Sequence, residues 1–196
     1  ALWTLLGVGC WLLFPPLAVI PLLGLFFILY FFRDPSRDTP QGNVVVSPAD
    51  GKVVEISTAH EGEFLGEEAV KIGIFLSVFN VHVNRAPAAG VVKAIRYTPG
   101  KFKDARDPEC GKVNEQNAIH IDGPVPLVVT QIAGAIARRI VCAIRENETL
   151  EMGQRIGMIK FGSRTDLYIP KSKLGELPIK LGDKVKGGET ILARIS

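Results

Sequence analysis

PADGKVVEI, residues 48–56, returns 39 residues later as PAAGVVKAI, residues 87–95. In each copy the Pro-Ala-x-Gly segment predicts a turn, and the Val- and Ile-rich residues after it predict a β-strand. Other short runs rich in Val and Ile, bounded by Gly, Pro, Asp and Asn, lie at residues 44–47, 70–78, 126–134, 137–144 and 190–195. No stretch after Phe32 has a helical hydrophobic period, so the sequence predicts a mainly β domain.

The segment Leu181–Leu192 resembles the closing hairpin of biotinyl and lipoyl carrier domains, and residues 150–159 are a looser version of it. This resemblance favours a β-sandwich, or a fold like the barrel-sandwich hybrid, in which strands exchange hairpins. A carrier function is not predicted, because no Met-Lys-Met or Asp-Lys-Ala hairpin is present to bear the prosthetic group.

Residues 1–32 contain no charged side chain. This apolar segment is longer than the roughly 20 residues that one membrane-spanning helix needs and shorter than the roughly 40 that two need. Pro15-Pro16 interrupts it near the middle, so one tilted or kinked span, a re-entrant hairpin and two spans all remain open. A cleaved signal peptide is disfavoured because no basic region precedes the apolar run. We therefore expect a retained membrane anchor, as a helix or a hairpin.

Arg33 and Arg37 follow this segment directly, which predicts that the rest of the chain lies on the cytoplasmic side of the cell membrane. Two prolines then exclude a helix, so residues 33–43 are predicted to be an extended linker. The remaining residues, 44–196, are expected to form the folded domain.

The composition excludes several classes of function. The 196 residues carry a net charge of only +3 and lack interleaved aromatic and basic residues, so we expect no nucleic-acid partner. The three cysteines and three histidines have no ligand-like spacing, so neither a disulfide nor a metal site is predicted.

Three residues are candidates for chemistry. Gly162-Ser163 ends an apolar run and on its own is typical of a strand that reaches a turn. Asp50 corresponds to Ala89 in the repeat, so the turn does not itself require a carboxylate. His82 lies in a segment whose two-residue period would place Asn80, His82 and Asn84 on one face of a strand. Lys101, Lys103 and Arg164 are basic candidates for a lipid phosphate, although such residues are more often simply solvated.

The motifs together resemble those of the phosphatidylserine decarboxylase family, in its short, archaeal-type branch. The similarity rests on the segments SPADGKV (47–53), FLSVFNVHVNRAP (75–87), YTPGKF (97–102), NE (114–115), QIAG (131–134), ARRI (137–140) and GQRIGMIKFGSR (153–164). The resemblance covers the chain from residue 33 to about residue 170.

The resemblance implies that the chain is a zymogen that cuts itself between Gly162 and Ser163. Ser163 would attack the carbonyl carbon of Gly162, and elimination and hydrolysis would turn it into a covalent pyruvoyl cofactor. The products would be chains 1–162 and 163–196. Asp50 and His82 match the family's Asp and His that assist the cut.

Two positions depart from the family pattern. Arg85 stands where longer relatives have a second histidine, and Gln116 stands where an arginine is expected after Asn114-Glu115. Arg85 is therefore a further candidate for part of the histidine's role. With Asn80, Asn84, Lys101, Lys103 and Arg164 it completes the candidate substrate-binding set.

In turnover the pyruvoyl group would react with the amine of phosphatidylserine and accept the electrons released as carbon dioxide leaves, with His82 as the proton donor. The product would be phosphatidylethanolamine, made for phospholipid biosynthesis. The expected partners are the membrane lipid substrate, the two chains of one precursor and a second copy in a homodimer. Two alternatives remain open: another serine phospholipid such as archaetidylserine as the substrate, or a non-catalytic, membrane-anchored β-sandwich adaptor.

Overall fold

The computed structural model describes residues 2–13, 19–107, 109–135, 139–160 and 162–196. Pro15-Pro16, the start of the strand predicted at 137–144, and Phe161 lie outside these residues. Within the described chain, contacts define two compact units, Ala1–Pro35 and Ser36–Ser196.

The first unit is helical, with α1 at Leu2–Leu13 and α2 at Val19–Phe31. The two helices pack against each other where Gly24 faces the ring of Trp3, since a Cβ on Gly24 would lie 3.1 Å from that ring. Within the described residues, neither helix combines the length and the apolar character needed to cross a membrane. The predicted anchor remains a prediction.

The second unit is mainly β, which confirms the predicted class. Its only helices in the described residues are the single turn α3, Cys110–Val113, and a 3-10 turn at Lys171–Lys173. The described residues of this unit also form fourteen strands: β1 Val44–Val46, β2 Gly51–Glu61, β3 Glu67–Leu76, β4 Val83–Arg85, β5 Gly90–Thr98, β6 Gln116–Asp122, β7 Leu127–Ala133, β8 Ile140–Cys142, β9 Thr149–Leu150, β10 Arg155–Ile159, β11 Ser163–Pro170, β12 Leu174–Glu176, β13 Lys184–Val185 and β14 Ile191–Ile195.

Eight of these strands form one antiparallel sheet in the order β13-β2-β3-β11-β7-β6-β5-β9. Two three-stranded sheets, β1-β14-β12 and β4-β10-β8, complete the unit. A single apolar core includes Ile72, Ile74, Ile119, Ile121 and Leu167. The central strand β11 pairs with β3 along its whole length and with β7 over most of it.

The order of the strands shows that the sequence repeat is a repeat of structure. An inner copy, β4–β10, is inserted into an outer copy made of β1–β3 and β11–β14. β1 pairs with β14 as β4 pairs with β10, and β13 adds to β2 as β9 adds to β5. The predicted likeness of residues 150–159 to the closing hairpin thus reflects equivalent positions in the two copies.

The two copies agree in local detail. The register shifts between Val53 and Glu55 in β2 and between Val92 and Ala94 in β5, which are equivalent positions. Gly51 and Gly90 also face the same obstacle. A Cβ on Gly51 would lie 2.2 Å from the carbonyl oxygen of Phe75, and one on Gly90 would lie 2.6 Å from that of Asp122. The repeat therefore needs glycine for close approach of two strands.

The strand predicted through His82 is wrong in its first half. Residues 78–80 form a turn, and β4 starts only at Val83. The amide of Asn80 is the physical reason, because its oxygen accepts hydrogen bonds from the backbone nitrogen (2.9 Å) and hydroxyl (2.7 Å) of Ser77. These local bonds stabilise a turn in place of a strand ladder.

Substituting Gly90 with alanine should lower stability, because the new methyl group would lie 2.6 Å from the Asp122 oxygen and 2.8 Å from Ile121. Overpacking of this kind costs about 1–3 kcal/mol. We expect a lower thermal unfolding midpoint in detergent. Gly62→Ala is the matched control, since its Cβ would meet only the His60 ring, at 3.4 Å. Equal midpoints for the two variants would contradict the close-approach argument.

Candidate active site

Ser163 is the first residue of the central strand β11 and is fully buried. It is paired with Leu76 of β3 on one side and Ala133 of β7 on the other. Its hydroxyl oxygen has no hydrogen-bond partner among the described residues. A buried hydroxyl without a partner costs free energy, so such groups in native proteins are rare and often functional.

Gly162 has a backbone conformation that other residues rarely adopt, with φ at +64°. Space is not the reason for glycine here, because a Cβ would meet nothing nearer than Val78, at 4.0 Å. The conformation turns the chain between β10 and β11 and presents the Gly162 carbonyl to Gly134. A Cβ on Gly134 would lie 2.3 Å from that carbonyl oxygen. Two glycines therefore set the geometry of the peptide bond before Ser163.

His82 is fully buried beside this peptide. The Gly162 amide donates a hydrogen bond to Nε2 of His82, at 3.2 Å. Since Nε2 accepts, Nδ1 of the neutral ring carries the proton and donates it to the carbonyl oxygen of Asn80, at 3.0 Å. The turn at residues 77–80 thus fixes the tautomer and leaves the basic nitrogen facing the Gly162-Ser163 junction.

Asp50, which was expected to assist the cut together with His82, has Arg37 and Gly187 as its hydrogen-bond partners. Its carboxylate accepts hydrogen bonds from Arg37 at 2.9 and 3.0 Å and from the Gly187 amide at 2.8 Å. Both ring nitrogens of His82 have partners other than Asp50. Arg37 was not identified as a site residue from the sequence, because its partner lies 13 positions away.

The duplication provides a second view of the three predicted catalytic residues. Strand registers give each a counterpart in the other copy: Ala89 for Asp50, Asn43 for His82 and Val125 for Ser163. The three counterparts line one cavity of about 250 Å³. Residues of both copies form this cavity. At the three equivalent positions it has neither a nucleophile nor an imidazole.

A buried ionic cluster locks β11 one residue after Ser163. Arg164 donates hydrogen bonds to Asp166 and Glu55, and Lys71 lies 3.1 Å from Asp166 and 3.3 Å from Glu55. Two cations and two anions compensate one another in this low-dielectric setting. Gly73 leaves the space for the guanidinium, since its Cβ would lie 2.4 Å from Arg164 Nη2. The alternation of Arg164 and Asp166 along the strand was the available sequence signal.

The cluster shifts the pKa values of Glu55, Lys71 and Arg164. Burial alone would raise the pKa of Glu55, but hydrogen bonds from Arg164 and Ser57 and the charge of Lys71 hold it below its usual value. Burial would likewise lower the pKa of Lys71 and of Arg164, yet the neighbouring carboxylates, Asp166 above all, raise both. Glu55, Lys71 and Arg164 are therefore charged at neutral pH.

The predicted substrate-binding residues differ in burial and in their partners. Asn84, Arg85 and Arg164 are buried and bind protein groups; Asn84 donates to Thr165 at 3.1 Å, and Arg85 donates to the Gly153 carbonyl at 3.0 Å. Lys101 and Lys103 are exposed. Asn80 is used within its turn. Their contact with substrate remains a prediction.

An open cavity of about 340 Å³ meets the site at Gly162. Its lining comes from the end of β3, the loop of residues 104–106 and the residue after Gly134: Phe75, Ser77, Val78, Asp104, Ala105, Arg106 and Ala135, besides Gly162. Among the described residues that line the cavity, Gly162 belongs to the Gly162-Ser163 junction, whereas Ser163 and His82 lie behind it. Within the described ranges, no group of three or more His, Cys, Asp or Glu residues could hold a metal ion.

A buried serine follows a left-handed glycine whose amide donates to a buried imidazole, an arrangement typical of proteins with an activated serine. Comparison with known proteins gives the family. The model of the family described as phosphatidylserine decarboxylase matches residues 25–193. The chain belongs to the phosphatidylserine decarboxylase family.

Curated relatives agree with this assignment. The chain is 48% identical over 182 residues to the phosphatidylserine decarboxylase proenzyme of Desulfotalea psychrophila. This alignment covers 91% of this chain and 84% of the relative. The chain is 50% identical over 179 residues to the proenzyme of the same name from Geotalea uraniireducens, with 90% and 83% covered. The predicted family, its enzyme class of carboxy-lyase and its pyruvoyl cofactor are confirmed.

Glu55→Gln should reveal the ionic cluster through the pH dependence of stability. The folded-state pKa of Glu55 lies below its ordinary value of 4.5, so its ionised form stabilises the fold above that pH, and this contribution is lost as pH falls through the folded-state pKa. We expect the variant's thermal midpoint to be lower by roughly 2–4 °C at pH 7. The gap should close below pH 4.5.

Glu68→Gln is the matched control, because Glu68 is exposed and pairs only with exposed Lys171. A pH-independent gap for Glu55→Gln, or an equal gap for the control, would contradict the assignment.

Proposed function

We propose that this chain decarboxylates phosphatidylserine to phosphatidylethanolamine after cutting itself between Gly162 and Ser163. The observation that carries the proposal is the buried, unpartnered hydroxyl of Ser163 directly after a left-handed glycine. Family membership and the names of the relatives support the substrate and the processing. The adaptor alternative, which predicts an uncut chain, is disfavoured because the relatives of this chain are named as proenzymes.

The cut is derived from the residues at the junction. The Ser163 hydroxyl attacks the carbonyl carbon of Gly162 while Nε2 of His82 accepts the proton, and the peptide C–N bond breaks to give an ester and a free amine. Removal of the Ser163 α-proton then expels the Gly162 carboxylate and leaves dehydroalanine. Addition of one water releases ammonia and leaves the pyruvoyl group. The left-handed Gly162 and the close approach of Gly134 set the orientation of the carbonyl that is attacked.

The fold explains how the two chains stay together after the cut. The small chain, residues 163–196, comprises β11–β14. Its first strand remains between β3 and β7, and β14 remains paired with β1. Because the ladder beyond Ser163 and the core around Leu167 do not involve the cut bond, the reaction removes only the connection from β10 to β11 and the Ser163 nitrogen.

The residues at the site fit the cofactor. In the described part of the chain, Ser163 is buried and its hydroxyl has no partner, and the cavity at Gly162 lies next to it. When formed, the pyruvoyl group supplies an electron-withdrawing carbonyl to which the substrate amine binds and which takes up the electrons of the broken C–C bond. The chain's own contribution is to hold that carbon at the first position of β11, to keep it away from bulk water and to present Nε2 of His82, which donates a proton once it has itself been protonated.

The place of action follows from the substrate. A two-chain phospholipid stays in its bilayer, so the site must come to the membrane surface. The apolar residues 1–32 support an anchor, and Arg33 and Arg37 favour the cytoplasmic side. A serine phospholipid with other chains, such as archaetidylserine, shares the reacting headgroup and remains the alternative substrate. The possible homodimer also stays a prediction.

Ser163→Ala should abolish the cut. Without the hydroxyl no ester forms, so intact-mass measurement should give one chain of 21.3 kDa in place of chains 1–162 and 163–196. The wild-type small chain should lack one ammonia relative to its unmodified sequence. Ser172→Ala, an exposed serine of the same fragment, should be cut as the wild type is. Cutting of Ser163→Ala at the same bond would refute the assigned nucleophile.

His82→Ala should slow the cut by about 10²–10⁴-fold, the usual contribution of a positioned general base. The rate is measured by following the conversion of freshly synthesised precursor on denaturing gels. His120→Gln serves as the control, because His120 lies on β6 against Phe64 and not at the junction. A wild-type rate for His82→Ala would leave Ser163 without its proposed base.

A further inference from the structure

Two loops that border the cavity at Gly162 expose aromatic side chains. Phe79 is 66% exposed at the tip of the turn 77–80, and Phe102 is 36% exposed in the loop 101–107. Residues of both loops line the cavity, namely Ser77 and Val78 from the turn and residues 104–106 from the loop. Single exposed aromatics are common on protein surfaces. Two of them, on the two loops that border one cavity, place apolar surface beside its mouth.

Charged residues near the same cavity are predominantly basic. Lys101, Lys103 and Arg106 belong to the loop, Lys160 lies two residues before Gly162, and the amide of Lys160 donates to the carbonyl of Arg139 at 3.2 Å. The acidic residues of the loop, Asp104 and Asp107, pair within it, with Arg106 and Lys103. Within the loop 101–107 itself, three basic residues stand against two acidic ones, so the loop carries a net positive charge.

Both loops are held firmly to the catalytic residues. Asn80 closes the turn on Ser77 and accepts the His82 Nδ1–H through its carbonyl. Asn114 accepts from the Lys103 amide at 2.9 Å and donates to the carbonyls of Lys103 at 2.9 Å and Ala133 at 2.8 Å. Since Ala133 pairs with Ser163, whatever binds the loops is positioned relative to the reacting carbon.

We propose that the turn 77–80 and the loop 101–107 form a membrane-docking rim, with Phe79 and Phe102 inserted at the surface of an anionic bilayer. This inference rests on the proposed function. Aromatic rings favour the interfacial region, and basic residues are attracted to anionic headgroups. The rim places the cavity mouth on the bilayer, so that a headgroup reaches the buried site while its acyl chains stay in the lipid phase.

The test compares one lipid in two physical states. Full-length wild type, Phe79→Ala and Phe102→Ala are assayed on long-chain phosphatidylserine in phosphatidylcholine vesicles and on short-chain phosphatidylserine dispersed below its micelle concentration. We expect a loss of about fivefold to tenfold on vesicles for each variant, because truncation removes apolar area from the interface. Activity on the dispersed lipid should stay within about twofold of wild type, since neither ring contacts the reacting atoms.

Two controls sharpen the comparison. Leu181→Ala removes an equally exposed side chain, 64%, from the turn between β12 and β13, outside the rim, and should leave both activities unchanged. Phe79→Leu keeps the apolar area and should retain most activity on vesicles. High salt should reduce wild-type activity on vesicles more than on dispersed lipid.

Each contrary result has a distinct meaning. Equal losses on vesicles and dispersed lipid would show that the loops act on catalysis and would overturn docking, as would unchanged activity on vesicles. An equal loss for Leu181→Ala would overturn the specificity of the rim. A correctly cut wild type that turns over neither form of phosphatidylserine would refute the proposed substrate, and the rim with it.

Discussion

The pairing of β11 between β3 and β7 is the constraint on which the rest of this structure depends. It buries Ser163 at the first ladder position, where the backbone is fixed on both sides and the hydroxyl has no hydrogen-bond partner in the described chain. The ionic cluster of Arg164 and Asp166 with Glu55 and Lys71 reinforces the strand immediately beyond it. A reactive group held this way needs no motion of its own backbone to remain in place.

The nested duplication explains where the junction lies. The inner copy ends with β10, and the chain must return from it to the centre of the outer copy at β11. Gly162 makes that return with a left-handed conformation, and Gly134 admits its carbonyl. The cut at the bond that joins the copies therefore leaves the ladder of β11 beyond Ser163 in place. In this fold, self-cleavage and retention of both fragments are compatible for a topological reason.

The same junction connects the buried chemistry with the surface. The turn at residues 77–80 orients the His82 ring from within and presents Phe79 to solvent. Asn114 ties the loop 101–107 to the end of β7, next to Ser163. A headgroup that enters between these loops meets a site whose position is set by the same hydrogen bonds. Docking and chemistry thus share one rigid frame.

The sequence by itself determined the β class, the repeat and the motifs around Asp50, His82 and Gly162-Ser163, because these depend on short-range patterns. It placed a strand through Asn80 where a turn forms, since the competing hydrogen bonds to Ser77 are invisible to a two-residue period. Only the tertiary structure decided that Arg37 binds Asp50, that Arg164 is held by Asp166 and Glu55, and that the repeat is nested. These contacts join residues far apart in the chain, and strand register, which sequence pattern alone does not fix, decides which of them meet.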